Sequence, residues 1–240
     1  VMISSRGMMC GAGVIALLAS AVAHAQLKPE VQTGSHIPTQ PRPVEADRSG
    51  PIKEGFARCV YRKNRNGAVA NLLGHSDPVT VDMKAAGLTN VSKALSMETC
   101  LGEEVNVDQS ALGFKFSPKV LRGMLVEEAY LARFPSLPVR PAAMTEAVAR
   151  TFVSTGDDLP LARGLAEFSD CVVFRDPEHA DALLRTMPGS LAEKTAARAL
   201  APSLGTCLTA GQTISLNAAS VRVFMADGLW NRYARSETRQ

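Results

Sequence analysis

Residues 55–61, Gly-Phe-Ala-Arg-Cys-Val-Tyr, and residues 167–173, Glu-Phe-Ser-Asp-Cys-Val-Val, each set a phenylalanine three positions before a cysteine. A second pair follows in the same order: Met-Glu-Thr-Cys100-Leu and Leu-Gly-Thr-Cys207-Leu. Downstream the match keeps a constant offset of 100 positions. Leu121-Arg122 falls on Val221-Arg222, Met124-Leu125 on Phe224-Met225, Glu127 on Asp227, and Ala129-Tyr130 on Leu229-Trp230. One such coincidence is cheap, but an ordered series is not. The chain reads as a tandem duplication, with copies at 55–134 and 167–234 joined by a connecting segment, 135–166.

Each copy reads as four short helices. The first carries a cysteine, over Phe56 to Lys63 and Phe168 to Phe174. The second spans Asn66 to Leu73 and Pro177 to Thr186, where Asp176 and Pro177 form an N-cap and a first helical position. The third runs into the second cysteine and in the second copy opens on Ser190-Leu-Ala-Glu193, a capping-box pattern. The first copy has an insertion here, around Gly74 to Met83. The fourth helix is the best marked, with Ser117-Pro118 and Asn217 as N-caps ahead of apolar residues at helical spacing. Phe114/Phe116 and Ile214/Leu216 just before it alternate as short extended stretches do. Pro141 to Phe152 predicts one more helix, ended by the Gly156-Asp157-Asp158 break. The expected fold class is all-α: a tandem repeat of two disulfide-closed four-helix units packed into one helical body.

The N-terminus has the parts of a secretory signal peptide over residues 1–25. Arg6 is the positive charge, Val14 to Val22 the apolar core, and Ala23-His24-Ala25 the small-residue cleavage site. The apolar core falls well short of the ~20 residues that a bilayer-spanning helix needs. Residues 26–54 hold Pro29, Pro38, Pro41, Pro43 and Pro51 without apolar periodicity, and read as a disordered or polyproline-like leader. Residues 235–240 are a tail. With 26 Lys and Arg against 23 Asp and Glu, the chain is near neutral and presents no electrostatic case for nucleic acid. Once the signal is removed, no second long apolar run remains to span a membrane.

Cys10 leaves with the signal, and four of the five cysteines stay. In an oxidising compartment they read as disulfides, and four cysteines allow three connectivities. The duplication favours Cys59–Cys100 and Cys171–Cys207, since each copy must once have closed on itself. A bridge around a loop of about 40 residues removes roughly 4 kcal/mol of unfolded-chain entropy in the simple model. Zinc-ligand pairs, Cys-x-x-Cys and haem-attachment spacings do not occur, so neither a metal nor a cofactor is expected.

Catalytic signatures are missing as well. There is no Gly-x-Ser-x-Gly, Ser-x-x-Lys, His-Glu-x-x-His or phosphate-binding glycine loop, and His36, His75 and His179 share no helical face. Tyr130 and Trp230 lie almost opposite the main apolar stripe of the fourth helix, beside Gly123 and Phe134 in the first copy. They form either an exposed aromatic patch that binds a partner or a face packed against the other copy. Arg122/Arg222 and Glu127/Asp227 are the repeated charges and read as an ion-pair set, solvated or at an interface; the arginines are also candidate binding residues. Glu128 falls within the apolar stripe, where a carboxylate would be desolvated, and is the best acid/base candidate. Its counterpart is Gly228, so the device is not shared.

The pattern Phe-x-x-Cys, then Pro-Ser-Leu-Gly-Thr-Cys207-Leu, then a capped helix ending in Leu-Trp resembles small exported alphaproteobacterial proteins with a duplicated paired-cysteine helical unit. The resemblance is tightest over 165–234. It implies export and a two-copy layout, and no activity. The expectation is a periplasmic or secreted binding or accessory protein with an envelope partner. The alternative is a small-molecule or lipid carrier with an apolar cavity between the copies. A third is a hydrolase-type enzyme that brings Glu128, His179 and Arg222 into one cleft.

Overall fold

A computed structural model of the chain describes residues 46–104, 117–139, 151–208 and 216–234. The signal peptide, the leader up to residue 45, the stretches at Phe114, Phe116 and Ile214, most of the Pro141–Phe152 helix and the tail lie outside the described residues. The elements are α1 (Ala46–Asn64), α2 (Ala68–Gly74), α3 (Val91–Ala94), α4 (Met97–Glu104) and α5 (Pro118–Arg133), then α6 (Asp158–Arg175), α7 (Pro177–Leu184), α8 (Leu191–Ala199), α9 (Ala201–Cys207) and α10 (Ala218–Leu229). A π-helical turn, Trp230–Ala234, continues α10. The described residues contain no strand beyond one isolated bridge between Ser76 and Val81. The chain is all-α.

Local chemistry starts the helices where the sequence marks them. The Ser117 side chain accepts the amide of Val120 at 3.4 Å, with Pro118 at the first helical position of α5. Asn217 and Ser220 form a reciprocal capping box on α10, both bonds 2.9 Å. Asp176 caps α7 and Ser190 caps α8. At Ser190 the expected box is only half made. Its Oγ accepts the Glu193 amide at 3.1 Å, but the Glu193 carboxylate accepts from Gly189 N at 2.8 Å.

The expected third helix is broken in two in each half, into α3 and α4 and into α8 and α9, so each half has five helices among the described residues and not the expected four. Two boundaries also differ from expectation. Residues 46–54, assigned to the disordered leader, are the first turns of α1, with Pro51 inside the helix. Tertiary contact outweighs the missing proline donor: Ile52 is buried, and Gly50 lies so close to the carbonyl of Pro188 that a Cβ would sit 1.9 Å from it. The other is α6, which begins at Asp158 rather than near Phe168, so the end of the expected connecting segment, 158–166, is helix. Phe152 itself is not helical.

The disulfides are Cys59–Cys100, tying α1 to α4, and Cys171–Cys207, tying α6 to α9. This is the expected pairing, with Cα separations of 5.5 and 5.8 Å. Cys59 and Cys100 are buried, whereas Cys171 and Cys207 are half-buried.

α5 and α10 meet in the middle of the body. α1 packs on α2, α4 and α5; α10 packs on α5, α6, α7 and α8. At the α5–α10 contact Gly123 faces Val223, whose methyl carbons lie 3.2 Å from where a Cβ would be. A closer approach occurs at Gly228, where a Cβ would fall 2.7 Å from the carbonyl oxygen of Ser169 on α6. One hydrophobic core runs through the molecule, from Phe56, Leu72 and Leu95 through Leu125 and Tyr130 to Phe168, Leu183 and Met225. Among the described residues no helix is long and apolar enough to cross a membrane.

Candidate functional site

Four charged groups, Arg122 and Glu127 on α5 and Arg222 and Asp227 on α10, are buried and paired across the two helices. Arg222 donates from Nε to both oxygens of Glu127, at 3.0 and 2.9 Å, and from Nη2 to Oε1 at 2.6 Å. Its other donors close the C-terminal end of α7, reaching the carbonyls of Leu183 (3.0 Å), Leu184 (2.8 Å) and Thr186 (2.9 Å). These carbonyls lie at and just past the negative end of the α7 dipole, which a guanidinium suits, and that of Leu183 also accepts from the Thr186 amide (3.1 Å) and hydroxyl (2.7 Å). Glu193 lies 3.4 Å from Nη1 on a third side. Burial works against charge on Arg222, but the hydrogen bonds to Glu127 and the charges of Glu127 and Glu193 outweigh it and hold the pKa above the ordinary value.

Arg122 repeats the arrangement in the other direction. It donates from Nη2 to Asp227 at 2.5 Å and from Nε to Ser76 Oγ at 3.0 Å, just beyond the end of α2. Neither arginine, each a candidate for binding from sequence, presents its charged end to solvent.

Tyr130 is fully buried, its hydroxyl donating to Asp181 at 2.8 Å and its ring 5.4 Å from that of Phe134. Burial first, then the bond to Asp181, raises its pKa. Asp181 also takes a two-pronged bond from Arg185, at 2.7 and 2.8 Å, and Arg185 donates to the carbonyl of Phe134. The second apolar side of α5 is therefore closed by its neighbours. Tyr130 has no surface to offer a partner, and Trp230 is half-buried against the core.

Glu128 is different. It is only 5% exposed, yet among the described residues its carboxylate receives no hydrogen bond. The nearest cation is Arg58 on α1, with Nε 3.7 Å from Oε2. Burial, opposed by Arg58 and reinforced by Glu127 and Glu54, lifts its pKa from 4.5 to about 7. Glu128 lines a cavity of about 270 Å³ between α1, α5 and α10 and the Pro188–Gly189 turn. Ala57, Val120, Gly123, Met124, Ala219 and Val223 supply apolar wall, and Lys53, Glu54, Glu127, Glu193 and Arg222 the charged groups. Glu54 bonds Arg58 through Oε1, while its buried Oε2 has no hydrogen-bond partner. A second hollow of about 330 Å³ shares Glu54 and is lined by Arg58, Arg62 and Met187.

The enzyme arrangement is not assembled as expected from sequence. Glu128 and Arg222 share the cavity, but His179 does not line it and is bound through Nδ1 to Asp176 at 2.8 Å. Among the described residues no three His, Cys, Asp or Glu side chains converge as metal ligands do. Two participants escaped the sequence reading. Glu54 lay in a segment taken as leader, and Glu193 was read only as a capping residue.

A separate polar knot lies in the loop between α2 and α3. Asp77 is buried and accepts the amides of Val79 and Thr80 at 2.8 Å, Val153 at 2.9 Å and Ser154 at 2.7 Å, plus the Ser154 hydroxyl at 2.9 Å. Burial would raise its pKa, but those donors outweigh burial and lower it. It is a structural clasp between the α2–α3 loop and the irregular segment ahead of α6.

Comparison of the chain with protein-family models, with curated proteins and with solved structures finds no match. Function is therefore a question for the geometry.

Proposed function

We propose that this chain is an exported helical binding protein of the cell envelope, built from two copies of one disulfide-closed unit, and that it holds a small ligand in the cavity between α1, α5 and α10. The observation that carries the reading is the contrast inside the molecule. Arg122, Arg222, Glu127, Asp227 and Tyr130 are all hydrogen-bonded, whereas in the cavity Glu54 keeps a buried oxygen without a partner and Glu128 is held, among the described residues, only by an ion pair with Arg58 at 3.7 Å. An apolar-walled hollow with a few polar groups is the usual form of a small-molecule site, and about 270 Å³ sits just below the drug-sized range of roughly 300–1,000 Å³.

The duplication draws support from the way the central helices meet. Arg122 pairs with Asp227 and Arg222 with Glu127, while Gly123 faces Val223. Equivalent positions that pair reciprocally, with one position facing its own counterpart, are what a two-fold relation between copies requires. Export is supported by the N-terminal signature and by two disulfides, which persist in oxidising compartments. The likeness to exported alphaproteobacterial proteins points the same way.

A thermal-shift screen of the chain against a chemically mixed set of small ligands tests the reading. Ala219 is exposed and lines the cavity, so Ala219→Trp puts an indole into the space without disturbing the core. Ligands that stabilise the wild type but not this variant are the expected result. A screen in which every stabilising ligand acts equally on both proteins would reject it.

A further inference from the structure

We infer that the cavity between α1, α5 and α10 recognises a primary ammonium group on a short apolar body, with Glu128 and Glu54 as its anionic partners. The inference rests on the binding reading above and adds the chemistry of the ligand. The starting point is what the cavity lacks. Glu54 Oε2 is buried without a hydrogen-bond partner, and the Glu128 carboxylate is 5% exposed without a hydrogen bond. A buried acceptor left unmatched is costly, as is a desolvated carboxylate whose nearest cation stands 3.7 Å away, and a ligand bringing N–H donors relieves both.

The donor set narrows the class. The acceptors come from separate helices, α1 and α5, which suits a compact ammonium with three donors better than a planar guanidinium fork made for one carboxylate edge. A quaternary ammonium has no N–H to give. A divalent metal is disfavoured because no three suitable ligands converge among the described residues. An anion would meet four carboxylates, Glu54, Glu127, Glu128 and Glu193, against Lys53, while the donors of Arg222 are already engaged. The remaining wall, with Ala57, Met124 and Val223, takes a few methylenes.

The molecule already shows how a cation fits. Arg58 bonds Glu54 Oε1 and stands 3.7 Å from Glu128 Oε2, while its own side chain is 55% exposed. It is a half-exposed cation at the rim that a ligand can displace or join. The equivalent place on α10 has no such room, because Gly228 is pressed against Ser169. The first half alone keeps a carboxylate there.

Ammonium binding favours ionised Glu128, so it releases a proton wherever that group is still protonated in the empty site. The groups that set this balance are Lys53, Glu54 and Arg58 on α1, Glu127 on α5, Glu193 on α8 and Arg222 on α10. Affinity should rise with pH, by up to about tenfold per unit below 7, and level off above it.

The test is calorimetric titration of the full chain with n-pentylammonium, with n-pentanol and n-pentanoate as neutral and anionic counterparts. The expected result is one amine per chain, abolished by Ala219→Trp, weakened at least tenfold by Glu128→Gln, and strengthened by Arg58→Ala, which removes the competing cation. Glu128→Gln keeps shape and removes only charge, so a loss of binding without a fall in melting temperature is not a folding failure. If pentanol or pentanoate binds at the Ala219-sensitive site while the amine does not, the cavity is a binding site and the cation inference is wrong. If the amine binds with no response to Glu128→Gln or Arg58→Ala, the inference also falls.

Discussion

Arg222 on α10 and Glu127 on α5 are joined by three hydrogen bonds of 2.6–3.0 Å, and the same guanidinium closes the C-terminal end of α7. One side chain thus fixes three helices against one another. Removing one partner of a buried pair leaves the other charged and unmatched, which costs about 3–5 kcal/mol. Arg222→Ala is expected to lose that much in urea unfolding. The double variant Arg222→Met/Glu127→Met should recover part of the loss and not all, because the α7 carbonyls and Glu193 stay without their donor. Full additivity of the two single changes would contradict this.

Glu128 predicts an unusual pH dependence of stability. Its folded pKa, about 7, is raised above its ordinary 4.5, so the native state favours the protonated form. Stability associated with it is greatest at low pH and falls as pH rises between these two values, then stays flat. Glu128→Gln should be more stable than the wild type above pH 7, by up to about 3 kcal/mol. Below pH 4 the two should converge. Melting curves across this range would show the gap opening, and a constant gap would refute the assignment.

Asp77 has the opposite sign. Its pKa is lowered in the folded state, so its contribution is fully present above the unfolded value near 3.8 and fades as pH falls through the lower folded value. With five donors on one carboxylate, Asp77→Ala is expected to cost about 2–4 kcal/mol at pH 7. Part of that difference should disappear in strong acid. Hydrogen exchange at Val153 and Ser154 should accelerate in the variant, since both amides lose their acceptor.

The two disulfides should differ in accessibility. Cys171 and Cys207 are half-buried, whereas Cys59 and Cys100 are enclosed, and thiol attack needs access to sulfur. Limited reduction followed by alkylation and peptide mass mapping should label Cys171 and Cys207 first. Replacing Cys59 and Cys100 together by Ala should cost roughly 4 kcal/mol, as expected for a loop whose ends are 41 residues apart.

Much of the architecture is legible residue by residue. Ser117-Pro118 and Asn217 mark the starts of α5 and α10 because an N-cap acts on an amide three residues away. Asp176-Pro177 marks α7 in the same way. Cysteine spacing and context were enough for the disulfide pairing. The start of α1 was not legible, because Pro51 argues locally against helix and only the packing of Ile52 and of Gly50 against Pro188 overrides it. Glu54 was lost from the candidate site with that segment. Glu193 satisfied a local capping pattern so well that its second role, facing Arg222, left no trace in the sequence.

What the sequence determined alone is whatever acts over a few residues: the helical class and the capped starts of α5, α7, α8 and α10. It also singled out Glu128 as a carboxylate on an apolar stripe. Only the tertiary structure decided that Arg122 pairs with Asp227 and Arg222 with Glu127, and that Tyr130 is sealed by Asp181. It also decided that Glu128 faces a cavity while Gly228 faces backbone. Those outcomes depend on which helices approach, and how closely. An electrostatic or packing partner some 50 to 100 residues away is chosen by that approach, and no local pattern encodes it.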